Sequence, residues 1–368
     1  VNILYISSIS ANPTSGLYYS IPSQVKAQGS FDNVALYNLS DKVSPLLIDM
    51  QNFFSIEGYP TLKIKNLPTP FSNPDLVIFE DFYLPKYVNI AKELERLKVP
   101  YVIVPRGSLT SGAQKKKWLK KKVFNKIMFE KFARNALAIQ YLTINERDTS
   151  SPTWNKNSIV IPNGTTKKDR VVSSFNGLKG VFIGRFDPFH KGLDFLLDAV
   201  NTLQAELRKN NSTISVHGSE RLGFKEQFAL EVSKNGLDDI IFVKEGVFNQ
   251  EKEKVLLSSN FFILTSRFEG HPMGLIEALS YGLPCLITKG TNMGEEVEKY
   301  DAGWVAENSA ESVTDALKRL IAEKHTLPMK SQNAIELASK YDWNSLARRS
   351  HELYVGLVEG SHRLEFTI

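Results

Sequence analysis

Cysteine is almost absent: Cys285 stands alone among 368 residues. One thiol excludes an intrachain disulfide and any Cys-x-x-Cys metal site. It agrees with a reducing compartment. No apolar run approaches the roughly 18 residues of a membrane-spanning helix. The chain opens at Val1 on a short apolar run, and no secretory leader is expected there. The histidines (His190, His217, His271, His325, His351, His362) include no pair at i, i+4, which argues against a zinc hydrolase built on a helix. No Gly-x-Gly-x-x-Gly follows a strand, which disfavours a Rossmann dehydrogenase. Gly-x4-Gly-Lys-Ser/Thr is missing, which disfavours a P-loop kinase. So is Gly-x-Ser-x-Gly, the elbow of a serine hydrolase.

What remains is ordinary globular composition, 42% hydrophobic and 23% charged. At roughly 100–200 residues per domain, the length suggests two domains. Charge is unevenly spread. Residues 115–134 hold nine Lys/Arg and one Glu, while the remainder has 36 basic and 39 acidic residues. The whole positive excess therefore sits in one segment. That segment reads as an amphipathic helix, with Leu119, Val123, Ile127 and Phe132 near one stripe. Trp118, Phe124, Met128 and Phe129 broaden the stripe beyond a single core contact. Lys115, Lys116, Lys117, Trp118, Lys120, Lys121 and Lys122 are the candidates for contact with an anionic membrane. Packing on its own domain is the plainer alternative. Nucleic-acid binding is a third, without an accompanying motif.

Short β-rich runs alternate with helical patterns along the chain, the mark of parallel sheets with crossover helices. Strands are expected at Asn2–Ser7, Val34–Tyr37, Leu76–Phe79, Tyr101–Val104, Leu137–Leu142 and Ile159–Ile161. The polar stretch Pro162–Leu178 reads as an interdomain linker. The alternation then restarts, with strands expected at Gly180–Ile183, Thr213–His217, Ile240–Val243, Phe261–Leu264 and Cys285–Ile287. After Trp304 the pattern is helical to the end.

Two loops after strands carry chemistry. The first, 184–192, reads GRFDPFHKG. Its glycines allow close backbone approach. Arg185 and Lys191 suit a diphosphate, one as a planar fork and one as a point charge. A solvated turn is the alternative. The second spans Ser266–Leu279 and places Glu269 in a loop and Glu277 about one turn into a helix. Carboxylates accept hydrogen bonds from vicinal hydroxyls, and a helix N-terminus suits phosphate or sugar oxygens. Glu277 lies among Leu275, Ile276, Ala278 and Leu279, where a charge needs a reason; a Glu that offsets the helix dipole is the plainer reading.

GRFDPFHKG at 184–192, SRFEGHPMGLIEALSYGLP at 266–284 and PNG at 162–164 together resemble glycosyltransferases of family 4, the retaining two-domain type. The resemblance is strong over about 160–300 and weaker before it. It implies an α/β chain of two Rossmann-like domains facing a cleft (the GT-B type). Residues 1–164 would form an acceptor domain and 165–343 a nucleotide-sugar domain, with a helix at 344–368 returning to the first. Arg185 and Lys191 would hold the donor diphosphate and offset the charge of its departure. Glu269 would hold hydroxyls of the donor sugar, and Glu277 those of the ribose. Gly184, Gly270 and the backbone of His271, Pro272, Met273, Gly274 and Leu275 would meet sugar and phosphate. Val247 would lie near the base, and Gly16 would approach the donor from the first strand–helix loop. Arg185, Lys191 and Glu269 are thus the catalytic candidates, with no covalent nucleophile assigned.

On the acceptor side the candidates are Asp81 and Arg106. Many relatives carry His where Arg106 stands; Arg cannot act as a base at neutral pH. It would instead hold a phosphate or an anionic acceptor, or form a surface ion pair. No cofactor or metal is expected, and no Asp-x-Asp site is present. The expected function is transfer of a hexose-type sugar, from a UDP-sugar by preference, to a glycan or lipid-linked acceptor in surface polysaccharide synthesis. The expected place is the cytoplasm, at the inner face of the membrane. Two alternatives stand beside it. One is a non-catalytic partner that supports another transferase; the other is an epimerase or phosphorylase of similar shape.

Overall fold

Runs of β-branched and aromatic residues, buried on both faces, pair only in parallel. A computed structural model describes residues 1–360 apart from Thr14, Ser44, Asp49, Leu62, Lys116, Lys117, Arg170, Ser173, Asn176, Pro188 and Arg221. The chain divides into two compact units. Val1–Gly164 with the C-terminal segment from Trp343 forms unit 1, and Thr165–Asp342 forms unit 2.

Unit 1 is built on β1 (Asn2–Ser7), β2 (Asn33–Asn38), β3 (Phe53–Ser55), β4 (Leu76–Glu80), β5 (Tyr101–Val104), β6 (Ala138–Tyr141) and β7 (Ser158–Val160). They lie in the order β3-β2-β1-β4-β5-β6-β7. Unit 2 is built on β8 (Lys179–Ile183), β9 (Thr213–Gly218), β10 (Ile241–Glu245), β11 (Phe261–Leu264), β12 (Cys285–Thr288) and β13 (Gly303–Ala306). Their order is β10-β9-β8-β11-β12-β13. Each sheet reverses its winding between two neighbouring strands: β1 and β4 in unit 1, β8 and β11 in unit 2. In open α/β sheets, ligands bind beyond the carboxyl ends of the strands at such a reversal. In unit 2 the loops that leave those ends begin at Gly184 and Thr265. In unit 1 they follow Ser7 and Glu80.

The helix Trp343–Val358 belongs to unit 1. Leu353 and Tyr354 are buried against the β1 face, and the Tyr354 hydroxyl donates to Gln140 Oε1 at 2.6 Å. Gly164 makes its start possible: a Cβ there would lie 2.4 Å from the Trp343 ring. β13 was not expected from sequence. Its first residue, Gly303, packs so closely that a Cβ would meet the Cys285 carbonyl at 1.9 Å. The glycine that makes this pairing possible also weakens the strand pattern.

The basic segment is not one α-helix. It forms Ser111–Lys115 and Trp118–Phe124, a π-helical stretch Asn125–Phe129, and Glu130–Asn135. A π-turn shifts the side-chain phase. Of the stripe expected to pack inward, only Phe132 is buried; Leu119, Val123 and Ile127 are exposed, as are Trp118 and Phe124. The inward face is Asn125, Phe129, Phe132 and Ala133. Among the described residues, no helix is long and apolar enough to cross a membrane.

Candidate functional site

The unit 2 site grows from the two loops at its winding reversal. Gly192, at φ +57°, turns the first loop into the helix Leu193–Thr202, and a Cβ there would strike the Thr265 carbonyl at 2.0 Å. Only glycine lets the two loops close on each other at this point. The Thr265 hydroxyl donates to the Gly192 carbonyl at 2.8 Å, and the Arg267 amide donates to the His190 carbonyl at 2.9 Å.

Lys191 Nζ reaches Glu269 Oε1 at 2.5 Å, and the Ser266 hydroxyl donates to the same oxygen at 2.7 Å. His190 Nε2 lies 3.5 Å from Glu269 Oε2, and its ring stacks on Phe268 at 4.4 Å. Burial alone would raise the Glu269 pKa. The Lys191 charge, the nearby His190 and the Lys191 hydrogen bond outweigh it, holding the carboxyl well below the usual range. Arg185 differs: among the described residues its half-buried guanidinium has no hydrogen bond or ion pair.

Glu277 lies in the helix Met273–Ser280 and pairs with Lys252, from the helix Asn249–Leu257. Lys252 was not singled out in the sequence. The pair answers why a charge sits beside Leu275 and Ile276, which are fully buried. Pro272 precedes the helix, Met273 and Gly274 form its first turn, and Leu275 anchors it in the core. Gly270 lies in the loop, where its carbonyl accepts from Asn292 Nδ2 at 3.3 Å. His271 is buried edge-on against Tyr341 at 5.0 Å, and burial pulls its pKa down to about 3. Its ring is therefore neutral at pH 7. Val247 is buried. Gly184 leaves β8 where a Cβ would crowd Phe182 at 2.9 Å.

Arg267 also escaped the sequence reading. Its guanidinium donates twice to the Asp194 carboxylate, at 2.8 and 2.5 Å, and once to the Phe189 carbonyl at 2.9 Å. It lies 4.8 Å from the Phe189 ring and 4.0 Å from that of Phe195. This bidentate, ring-flanked arrangement suits arginine alone. The Arg-x-x-x-x-His-Lys pattern of the first loop drew attention to cations for a ligand, whereas Arg267 is a cation spent on holding the loops together.

In unit 1, Gly16 is the first residue of the helix Gly16–Gln28. Glu80 ends β4, fully buried, and pairs with Arg106 Nε at 2.8 Å. The other Arg106 nitrogens donate to Ser20, Asn163 and Gln24 at 3.1–3.2 Å. Its side chain is 7% exposed. The ion pair expected at the surface is therefore a buried one, and the guanidinium is engaged inside the unit. Asp81 has φ +94°, and Arg106 has φ +51°. Such backbone strain in non-glycine residues clusters at functional sites. The Phe82 amide donates to Asp81 Oδ1 at 2.6 Å. Burial raises the Asp81 pKa, against that hydrogen bond and the Arg106 charge.

In the basic segment, Lys121 is turned inward, donating to the Ala113 carbonyl at 2.6 Å and lying 4.9 Å from the Tyr83 ring. Lys115, Lys120 and Lys122 are exposed beside Trp118; Lys116 and Lys117 lie outside the described residues. No cluster of three or more His, Cys, Asp or Glu that could hold a metal is found among the described residues.

Comparison with known proteins agrees with this geometry. The family model described as "Glycosyl transferases group 1" matches residues 178–323, most of unit 2. An uncharacterized glycosyltransferase of Methanocaldococcus jannaschii is 23% identical over 266 residues, covering 72% of this chain and 70% of that one. A GDP-mannose:cellobiosyl-diphosphopolyprenol alpha-mannosyltransferase of Komagataeibacter xylinus is 27% identical over 175 residues, 46% of this chain and 43% of its own. Sucrose-phosphate synthase from Thermosynechococcus elongatus aligns at TM-score 0.73 with 14% identity, over 98% of this chain and all of that one. HepE of Anabaena, solved with UDP, aligns at TM-score 0.72 with 15% identity, over 97% of this chain and all of that one. These two likenesses establish the fold. With two Rossmann-like units and a unit 2 that matches the family model over both loops, the chain has the GT-B fold and carries a group 1 glycosyl transferase domain at residues 178–323.

Proposed function

We propose that the chain transfers a hexose-type sugar from a nucleotide diphosphate sugar, with UDP preferred, to a hydroxyl of a glycan or lipid-linked acceptor, with retention and without a metal. The observation that carries this reading is the pairing of an uncommitted Arg185 with a buried Lys191–Glu269 couple on adjoining loops. Arg185 offers its fork to the diphosphate. Lys191 shares its ammonium between the phosphate and Glu269, and Glu269 turns its oxygens to the sugar hydroxyls. As the glycosidic bond breaks, negative charge grows on the leaving diphosphate, and fixed cations in a partly dry site offset it. Glu277, aimed by Lys252, accepts from the ribose hydroxyls. Asp81 orients the acceptor hydroxyl. The exposed side chains of Lys115, Trp118, Leu119, Lys120, Lys122 and Ile127 rest on an anionic membrane surface, in keeping with a lipid-linked acceptor made for surface polysaccharide. Two similar proteins support the donor class: Anabaena HepE was solved with UDP, and the Komagataeibacter xylinus mannosyltransferase uses GDP-mannose and a diphosphopolyprenol acceptor.

The test is thermal melting with a panel of nucleotides and nucleotide sugars, with and without EDTA. A ligand that binds the native state raises the melting temperature by mass action. A rise with uridine nucleotides that EDTA leaves unchanged supports the donor and metal readings. A rise with guanosine nucleotides alone overturns the UDP preference, and no rise with any nucleotide overturns the transferase reading. NMR of the product's anomeric proton decides retention.

A further inference from the structure

Thr143 and Glu146 stand at the spacing of a capping box, in which the glutamate turns back to the amide at the start of its own helix. The first half of the box forms: Thr143 precedes the helix Ile144–Asp148, and its hydroxyl accepts from the Glu146 amide at 2.9 Å. The second half is diverted. Glu146 Oε2 accepts from the Leu142 amide at 2.7 Å, and Oε1 accepts from the Gly107 amide at 2.5 Å, 39 residues away in sequence. We propose that Glu146 is a positioning residue with a proton-operated grip: ionised, it holds the turn at Arg106–Gly107, and protonated, it lets that turn go.

The turn needs holding. Arg106 and Gly107 are both left-handed, at φ +51° and +85°, and a residue with a Cβ resists that region. The Ser108 amide closes the turn on the Pro105 carbonyl at 3.0 Å. The Arg106 guanidinium is fixed by Glu80, Ser20, Gln24 and Asn163. The peptide that follows Arg106 is fixed by Glu146. Beyond the turn, the chain passes the Thr110–Ser150 bridge into Ser111–Lys115, where the basic segment starts.

The grip depends on charge because both carboxylate oxygens accept. A protonated carboxyl gains an O–H donor, and one of the two amides then faces a donor instead of an acceptor. Glu146 cannot turn aside: it is fully buried, and its own carbonyl accepts from the Ser150 hydroxyl at 2.7 Å. Leu142 is buried directly after β6, whereas Gly107 is half-buried in a loop. The Gly107 contact is therefore the one that yields, and its loss loosens the link between β5 and the basic segment.

The groups around the carboxyl set the pH of release. Glu146 has no ion pair among the described residues. Arg106 acts on it from the loop after β5, but its charge is shared with Glu80 and Asp81. Tyr141 lies near it at the end of β6, and Arg147, on the same helix, is paired with Asp148. Burial pushes the Glu146 carboxyl up to about 7, and the Leu142 and Gly107 hydrogen bonds with the Arg106 charge offset this only in part. The turn is thus held above that pH and released below it. None of these groups belongs to the donor loops, so the grip goes beyond the transferase reading and does not depend on it.

The test is NMR of the Gly107 amide in the full chain. Arg106–Gly107 is the sole Arg–Gly peptide in the sequence. Isotope labels on arginine carbonyl carbons and glycine nitrogens therefore select a single amide resonance. The sample is titrated from about pH 8.5 to about pH 5.5, above the ordinary carboxylate range. As the charge-assisted bond is lost, the Gly107 proton is expected to move upfield with a midpoint of about pH 7. Glu146→Gln, with one acceptor at every pH, should hold the resonance at its acid position throughout. A resonance that does not move in the parent overturns the proposal. So does one that moves equally in Glu146→Gln, where Glu80 or Asp81 would be the cause. If Glu146→Gln does not fold, hydrogen exchange of the same amide in the parent decides. Its protection, corrected for the intrinsic rate at each pH, should fall by about tenfold on acidification through that midpoint; unchanged protection overturns the proposal too. The titration is run without nucleotide, so its failure and a failure of the nucleotide melting test are separate results.

Discussion

Lys191 Nζ and Glu269 Oε1 are 2.5 Å apart, with side chains 13% and 11% exposed. Each is the other's countercharge. Removing one partner of such a pair costs about 3–5 kcal/mol, because the remaining charge is left buried alone. Lys191→Ala should therefore lose stability as well as activity, and Lys191→Met with Glu269→Gln should regain most of the stability. Urea unfolding of the two variants decides this. Equal midpoints would show that the pair contributes nothing to folding.

Arg185 should behave in the opposite way. Its guanidinium makes no hydrogen bond or ion pair among the described residues, so Arg185→Ala should leave the unfolding midpoint within about 0.5 kcal/mol of the parent, as a change away from such pairs does. Turnover should fall by about 10²–10³, the usual cost of one fixed charge-stabilising group. The comparison of Arg185→Ala with Lys191→Ala thus separates binding from folding inside one loop. A turnover unchanged in Arg185→Ala would remove the diphosphate role.

The Arg267–Asp194 bridge predicts a substitution that keeps charge and still fails. Arg267→Lys loses the two-point contact and the flanking by Phe189 and Phe195. It should loosen the 184–192 loop against the 266–270 loop. Activity should fall by roughly tenfold or more, since small misplacements in a site are costly. Limited proteolysis at 185–192 should accelerate. Full activity in Arg267→Lys would show that backbone bonds alone hold the loops.

Acid should weaken unit 2. His271 is neutral in the folded state, with a pKa of about 3 against 6.5 when unfolded. Below pH 6.5 the unfolded chain takes up a proton that the folded chain refuses, so stability falls from about pH 6.5 down to about pH 3. Glu269 acts in the same direction: its depressed pKa contributes stability above the unfolded carboxylate range and loses it as pH drops. His271→Asn should flatten the fall in melting temperature between pH 6.5 and 5. An unchanged slope would place the acid sensitivity elsewhere.

Much of this was legible before any coordinates. Val181, Phe182, Phe261 and Phe262 read as buried strands because they form short unbroken apolar runs. Loops rich in glycine and charge after those runs mark the winding reversal. The parts that escaped depend on distances between remote segments. Arg267 and Asp194 are 73 residues apart, and nothing local in either tells that they meet. Arg106 looked like a loop cation because its partners come from three places in the chain: Ser20 and Gln24 on one helix, Glu80 at the end of β4, and Asn163. The 115–134 segment misled for a local reason: a π-turn rotates the face that a regular α-helix would bury. Phe129 and Phe132 turn inward, while Leu119 and Ile127 do not.

The Glu80–Arg106 pair also limits how this protein can change over generations. Both side chains are buried, and Arg106 reaches three further partners. A single mutation that neutralises either one strands a charge in the interior, which is the costliest kind of step. A descendant with histidine at position 106 would need Glu80 to change almost at once. At this pair unit 1 therefore stands on an isolated evolutionary peak, reached and left by paired mutations rather than by single ones.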